Sequence, residues 1–225
     1  MFCVRITRMA AFSLLLASNS PRRRELLGWT GWQFTTAPAD LDERPLPGES
    51  PLAHVERLAQ GKAHKAGLTA PQDVLVVGAD TIVVDDGNIL GKPAHAADAA
   101  RMLEQLRGRT HTVHTALAVF RPADGALLAD RCDANVPMRS YTAAEVEAYI
   151  ATGDPLDKAG AYAIQHAGFH PVTGFRGCFA CVMGFPLCHL VRTLRKWNVH
   201  PPVDVPQVCQ AGLQYDCPVF AQILA

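Results

Sequence analysis

The sequence predicts an α/β fold, on three observations. Short continuous apolar runs of strand length, such as residues 74–77, alternate with stretches whose apolar residues recur at helical spacing. Ser-Pro pairs at Ser20-Pro21 and Ser50-Pro51 each set a capping hydroxyl before a proline suited to a first helical turn. The composition, 49% apolar, 19% charged and 7% aromatic over 225 residues, suits one large globular domain. It excludes a disordered tail, a fibrous repeat and a small disulfide scaffold.

The elements follow in order. Residues 1–8 are basic, 9–17 are apolar and 17–20 are small, so a secretory signal competes with a first buried strand over 11–17. Met9 competes with Met1 as the start. A helix opens at Pro21, capped by Ser20, and stops near Gly28. Residues 37–50, rich in Pro, Asp and Glu, read as a loop. The next helix carries Leu52, Val55, Leu58, Ala59 and Ala66 on one face before Gly67. Residues 74–77 form a buried strand broken at Gly78, followed by 82–84, an Asp86-Gly87 turn and a short return at Ile89-Leu90. A helix over 96–106 turns Met102, Leu103 and Leu106 inward. A strand spans 111–120 and turns at 122–125. Thr142 and Glu145 form a capping box for a helix reaching about Thr152. Short strands are expected over 162–165, 169–173 and 179–183, then a last helix over 186–197. Residues 199–225, with Pro201, Pro202 and Pro206, read as an appended tail whose apolar end should pack rather than float.

Charge narrows the function. Lys plus Arg (21) equals Asp plus Glu (21), so no global field gathers nucleic acid or an anionic membrane. No apolar run reaches the roughly 18 to 20 residues that cross a bilayer. Seven cysteines, an odd number without a framework, fit a reducing cytoplasm better than secretion. Cys178 and Cys181 have metal-ligand spacing, but on the expected strand they face opposite sides and cannot share an ion. Cys209 and Cys217 could pair, bind metal or do neither.

Three places break local preference. Arg22, Arg23 and Arg24 crowd the first turn of a helix, where the dipole disfavours cations. They make either a solvated basic turn or, with the free N–H groups there, a phosphate cradle. Asp80 follows a buried run, so it is a turn cap, a base or a metal ligand. The block Asp157-Lys158-Ala159-Gly160, followed by Tyr162 and Gln165, is either an ion pair in a loop or a tight wall against a ligand.

Set together, residues 16–27 (LASNSPRRRELL), Gly78-Ala79-Asp80-Thr81 with Gly91-Lys92-Pro93, residues 157–165 (DKAGAYAIQ) and residues 182–187 (VMGFPL) resemble the Maf family of nucleoside triphosphate pyrophosphatases, in the family's order. The resemblance spans roughly 12–198, with a domain over 9–198. It implies an elongated, two-lobed mixed sheet with flanking helices and a deep cleft, similar to the inosine triphosphatase fold. It implies hydrolysis of nucleoside triphosphates to monophosphate and pyrophosphate with a divalent cation, Mg²⁺ or Mn²⁺. Arg22, Thr81 and Gln165 match the branch that acts on dTTP and UTP. Gly177-Cys178-Phe179 departs from the family's common Gly-Ser-Tyr, which removes any hydroxyl contact from there.

By that resemblance Asp80 is the general base on the attacking water and touches the metal, while Ser18 meets the phosphates. Arg22, Arg23, Lys62 and Lys92 can neutralise phosphate, and Glu43 is the candidate second carboxylate for a hard cation. Thr81 and Gln165 offer the hydroxyl and amide needed to read a pyrimidine edge. The expected partner is a nucleoside triphosphate, without nucleic acid or membrane; a homodimer stays open. The rival reading is a non-catalytic nucleotide-binding regulator of septum formation, which would need the cradle but not the base.

Overall fold

A computed structural model describes residues 12–225. The signal-peptide reading, the Met9 start and the beginning of the expected first strand lie outside the described residues. One mixed sheet of six strands organises the chain, in the order β2-β1-β3-β5-β6, with β4 also paired to β3. The strands are β1 (Ser13–Leu16), β2 (Phe34–Thr36), β3 (Val74–Asp85), β4 (Asn88–Leu90), β5 (Thr110–Arg121) and β6 (Ala126–Pro137). β1 runs parallel to β2 and β3, whereas β3, β5 and β6 form an antiparallel meander.

The helices are α1 (Pro21–Gly28), α2 (Pro51–Gly67), α3 (Ala96–Leu106), α4 (Ala143–Ala151), α5 (Phe179–Val182), α6 (Leu187–Arg195), α7 (Val205–Leu213) and α8 (Phe220–Leu224). The expected caps form: Ser20 and Ser50 accept from the backbone N–H groups of Arg23 and Ala53. Thr142 and Glu145 make the full capping box.

Each face of the sheet carries its own core. On one, α2 lays Val55, Ala59 and Ala63 against Val76, Ile82, Ala116 and Ala118. On the other, Val77, Ala79, Val83, Leu117 and Val119 meet side chains from the remaining helices, including Leu26, Leu103, Tyr149, Leu190 and Val205. Gly78 sets the first contact. A Cβ there would stand 2.3 Å from the Ala59 carbonyl oxygen and 2.5 Å from the Ala63 nitrogen, so only glycine lets α2 lie this close to β3.

Several expectations need correction. Gly78 does not break a strand; β3 is continuous through it, and Asp80 sits mid-strand instead of capping a turn. β2 and β6 were not anticipated. β6 does alternate, burying Cys132, Ala134 and Val136, but its Ala, Asp and Asn content is poor strand material. The strands expected over 162–165, 169–173 and 179–183 do not form. The first is irregular chain after a 3₁₀ turn, the second contributes only a bridge from Val172 to Met138, and the third is α5. Short apolar runs cannot be told from buried helix by periodicity alone. The strand argument against Cys178 and Cys181 therefore fails, since the two share one helical turn. Even so, no group of three or more His, Cys, Asp or Glu among the described residues is placed to hold a metal ion. The thiols of Cys209 and Cys217 are free.

Candidate active site

The pairing register leaves a gap in the sheet. Along one edge of β3, β1 pairs only as far as Val77, and β4 takes over only at Val83. Between them, positions 78–82 have a partner on the β5 side alone. Asp80 and Thr81 occupy this gap. As successive strand residues they point to opposite faces of the sheet. Asp80 lies on the α2 side and Thr81 on the side of α5, so two different chemistries flank one opening.

Helix α2 supplies the partner on the Asp80 side. Lys62, on the buried face of α2, donates from Nζ to Asp80 Oδ1 at 2.7 Å, and both side chains are about nine-tenths buried. Lys62 Nζ also lies 2.6 Å from Glu43 Oε1, reaching over from the acidic loop. Burial works against the Glu43 charge. The bond and charge of Lys62, with Lys92 and Arg23 nearby, outweigh it and hold its carboxyl below the usual range. Among the described residues Asp80 Oδ2 takes no hydrogen bond, which leaves that oxygen open to a ligand or water.

Helix α1 starts beside the gap, and its arginines part company. Arg24 is exposed. Arg23 turns in: Nη1 donates to the Ala79 carbonyl (2.8 Å) and Ser18 Oγ (3.5 Å), Nε to the Gly184 carbonyl (2.9 Å) and Nη2 to Thr81 Oγ1 (3.2 Å). Its guanidinium thus fills the missing ladder position at Ala79 and ties the first loop to the turn after α5. Four of its five N–H groups are spent, leaving one for a ligand. Burial lowers the Arg23 pKa, opposed by the charges of Asp80 and Glu43, and a guanidinium stays protonated regardless. Arg22 faces outward toward Asp157, 3.9 Å away.

The opening has two compartments. One is lined by Ser18, Arg22, Arg23, Glu43, Lys62 and Lys92. The other is lined by Arg22, Thr81, Lys92, Tyr162, Gln165 and Gly184, among others. Arg22, Lys92 and Asp157 line both, so the two are continuous across the gap. The predicted phosphate residues thus collect in the first compartment and Thr81 with Gln165 in the second, while Asp80 reaches the first through Lys62. Lys92 is exposed and makes no ion pair among the described residues.

The 157–165 segment does form a tight wall, and the ion-pair reading holds as well. Buried Lys158 bonds Asp154 Oδ1 (2.8 Å) and Asp157 Oδ1 (2.6 Å). Gly160 and Ala161 adopt positive φ of 69° and 60°, and a Cβ on Gly160 would press Val83 at 3.0 Å. Tyr162 hydroxyl, held 2.8 Å from His111 Nε2, closes the back of that compartment; burial pushes it well above its ordinary pKa.

Two contributors were missed. Gly184 has φ 96°, and any Cβ would meet Thr81 Oγ1 at 2.9 Å; the Met-Gly-Phe-Pro spelling was a signal for this turn. Thr115, fully buried on β5, bonds Thr81. Nothing local marks it, since β5 carries three threonines, at 110, 112 and 115.

The sequence profile of the family described as "Maf-like protein" matches residues 13–197. A dTTP/UTP pyrophosphatase of Geobacter sp. (strain M21) is 48% identical over 184 residues, covering 81% of this chain and 94% of that protein. A dTTP/UTP pyrophosphatase of Moorella thermoacetica is 48% identical over 188 residues, covering 83% and 95%. Among solved structures, a nucleoside-triphosphatase / dITP/XTP pyrophosphatase from Mycobacterium abscessus aligns with a TM-score of 0.38 and 19% identity, over 56% of this chain and 73% of that one.

Proposed function

The chain belongs to the Maf family, and from that premise we propose that it hydrolyses nucleoside triphosphates, dTTP and UTP foremost, to the monophosphate and pyrophosphate. The observation that carries this reading is Asp80: a carboxylate held by Lys62 in a gap of the sheet, beside the N-terminus of α1, the inward-turned Arg23 and the exposed Lys92. A nucleotide sensor would use the cations and helix but has no need of that carboxylate.

Cleavage between the α and β phosphates needs a water aligned with the α-phosphorus and a sink for charge on the departing pyrophosphate. Asp80 Oδ2 is the base on that water, and Lys62 fixes its orientation through Oδ1. Arg22, through its guanidinium and its backbone N–H, takes the phosphate oxygens together with Lys92, the remaining N–H of Arg23 and Ser18 Oγ. The base crosses the gap to Thr81 and Gln165.

A divalent cation fits these residues. Two carboxylates from separate segments converge on one positive point, now the Lys62 ammonium, with hard oxygen donors of the kind Mg²⁺ takes alongside substrate phosphates and water. Asp80 and Glu43 would hold it, and when bound it would supply further charge neutralisation on the phosphates.

The test is a panel of nucleoside triphosphates with Mg²⁺, scored by pyrophosphate release. Fastest release from dTTP and UTP supports the reading, and release from none of the panel refutes it.

A further inference from the structure

Thr115 is a threonine in the middle of β5, fully buried and remote from the opening except through Thr81. Its hydroxyl sits 3.0 Å from Thr81 Oγ1 and donates to the Cys181 carbonyl at 2.8 Å. A hydroxyl has one proton to give. With the Thr115 proton spent on Cys181, the Thr81–Thr115 contact is made by the proton of Thr81. Arg23 Nη2 then occupies one lone pair of Thr81 Oγ1 from a third direction.

The consequence is a hydroxyl of fixed polarity. Thr81 lines the compartment that also holds Gln165 and Tyr162, but its proton points inward, one lone pair is taken, and only an acceptor lone pair is left to face a ligand. A lone threonine hydroxyl reads donors and acceptors equally well. This one reads donors only.

We propose that Thr115 is a positioning residue for base selection: by holding the Thr81 proton, it makes the compartment offer an acceptor to an imide N–H and reject a ring nitrogen that is itself an acceptor. Uracil and thymine carry that N–H at N3, whereas cytosine presents a bare N3 lone pair. The proposal rests on the pyrimidine nucleotide reading above. It explains how one hydroxyl, able to bond either way, separates UTP from CTP. A site built to accept a specific N–H leaves a buried lone pair facing another lone pair when the wrong base enters.

The experiment compares kcat/KM for UTP and CTP in the wild type, Thr115→Val and Thr115→Ser. Valine frees the Thr81 proton to turn into the compartment, so the UTP-over-CTP preference should fall about tenfold or more. Serine keeps the relay and should keep the preference. A Thr115→Val enzyme that loses UTP and CTP activity by the same factor shows a merely structural threonine and overturns the proposal. UTP methylated at base N3, given to the wild type, provides a check independent of the variants' folding. It should be cleaved poorly, and cleavage as efficient as that of UTP overturns the acceptor assignment. Wild-type enzyme that releases pyrophosphate from neither UTP nor dTTP refutes the underlying substrate reading, a failure visible before any variant is made.

Discussion

At the scale of single residues, Asp80 and Lys62 are joined so closely that substitution must separate charge from shape. Asp80→Asn keeps an oxygen for Lys62 Nζ and nearly the same volume, so the fold and nucleotide binding should survive. Turnover should fall by at least the ~10²-fold that follows loss of a general base. Pyrophosphate release at saturating dTTP checks this, with near-normal turnover counting against Asp80 as the base. Asp80 was legible because a carboxylate after a buried run is costly and demands a reason. Lys62 stood near the edge of an apolar stripe and could be suspected of reaching a cleft. The polarity of Thr81 was not legible at all. It depends on Thr115, 34 positions away on a neighbouring strand, and on the Cys181 carbonyl within α5. No local pattern encodes a proton direction that three segments set jointly.

At the scale of elements, the site is a consequence of strand register. β1 stops at Leu16 and β4 is only three residues long, so their spacing along β3 leaves the gap that Asp80 and Thr81 share. Helix α2 must lie against β3 for Lys62 to reach across it, and Gly78 makes that approach possible. In Gly78→Ala the new methyl meets helix backbone, not a flexible side-chain end, so α2 must move away. The expected cost is of the order of overpacking, about 1–3 kcal/mol, read as a lower urea midpoint. Because the displaced helix carries Lys62, kcat should fall as well. An alanine variant with unchanged stability and turnover would show that the contact is not limiting. Strong caps and long periodic faces made α1, α2, α3 and α4 legible. β6 and the chain after Tyr162 were not, for opposite reasons. In β6 a period-two pattern is written in poor strand formers, while residues 179–183 put strand-like residues into a single helical turn whose identity is settled by packing.

At the scale of the whole molecule, two features extend beyond the opening. The first is buried, uncharged histidine. Burial lowers His111 and His189 to about 4 each, with Asp85 and Asp130 respectively opposing, and each leaves its Nδ1 without a partner. The unfolded chain takes up protons near pH 6.5 that the folded chain refuses, so stability present above 6.5 is lost as pH falls toward 4. Each ring accounts for at most roughly 3 kcal/mol of that loss. In His111→Gln the fall in urea midpoint between pH 7 and pH 4.5 should shrink by about half relative to wild type; an undiminished fall would clear His111 of the effect. The second feature is the segment after the family match. Val199, Val205 and Cys209 belong to the main core, and Trp32 Nε1 bonds the His200 carbonyl at 3.2 Å. Tyr215 hydroxyl bonds the Phe175 and Gly177 carbonyls, and Arg192 and Arg195 cap the last carbonyls of α8. No helix among the described residues is long and apolar enough to cross a membrane. None of the described residues beyond Gly184 lines either compartment. Removing everything after Trp197 therefore strips two buried valines, roughly 1.5–3 kcal/mol each, and exposes the α6 face beneath. The melting temperature should drop by about 10 °C or more, while kcat for dTTP, measured well below the new midpoint, stays within a few-fold. A truncated protein as stable as the full chain would mean these contacts contribute nothing net. One that folds but cleaves nothing would mean the segment orders the opening from behind, through Gly177 and α5.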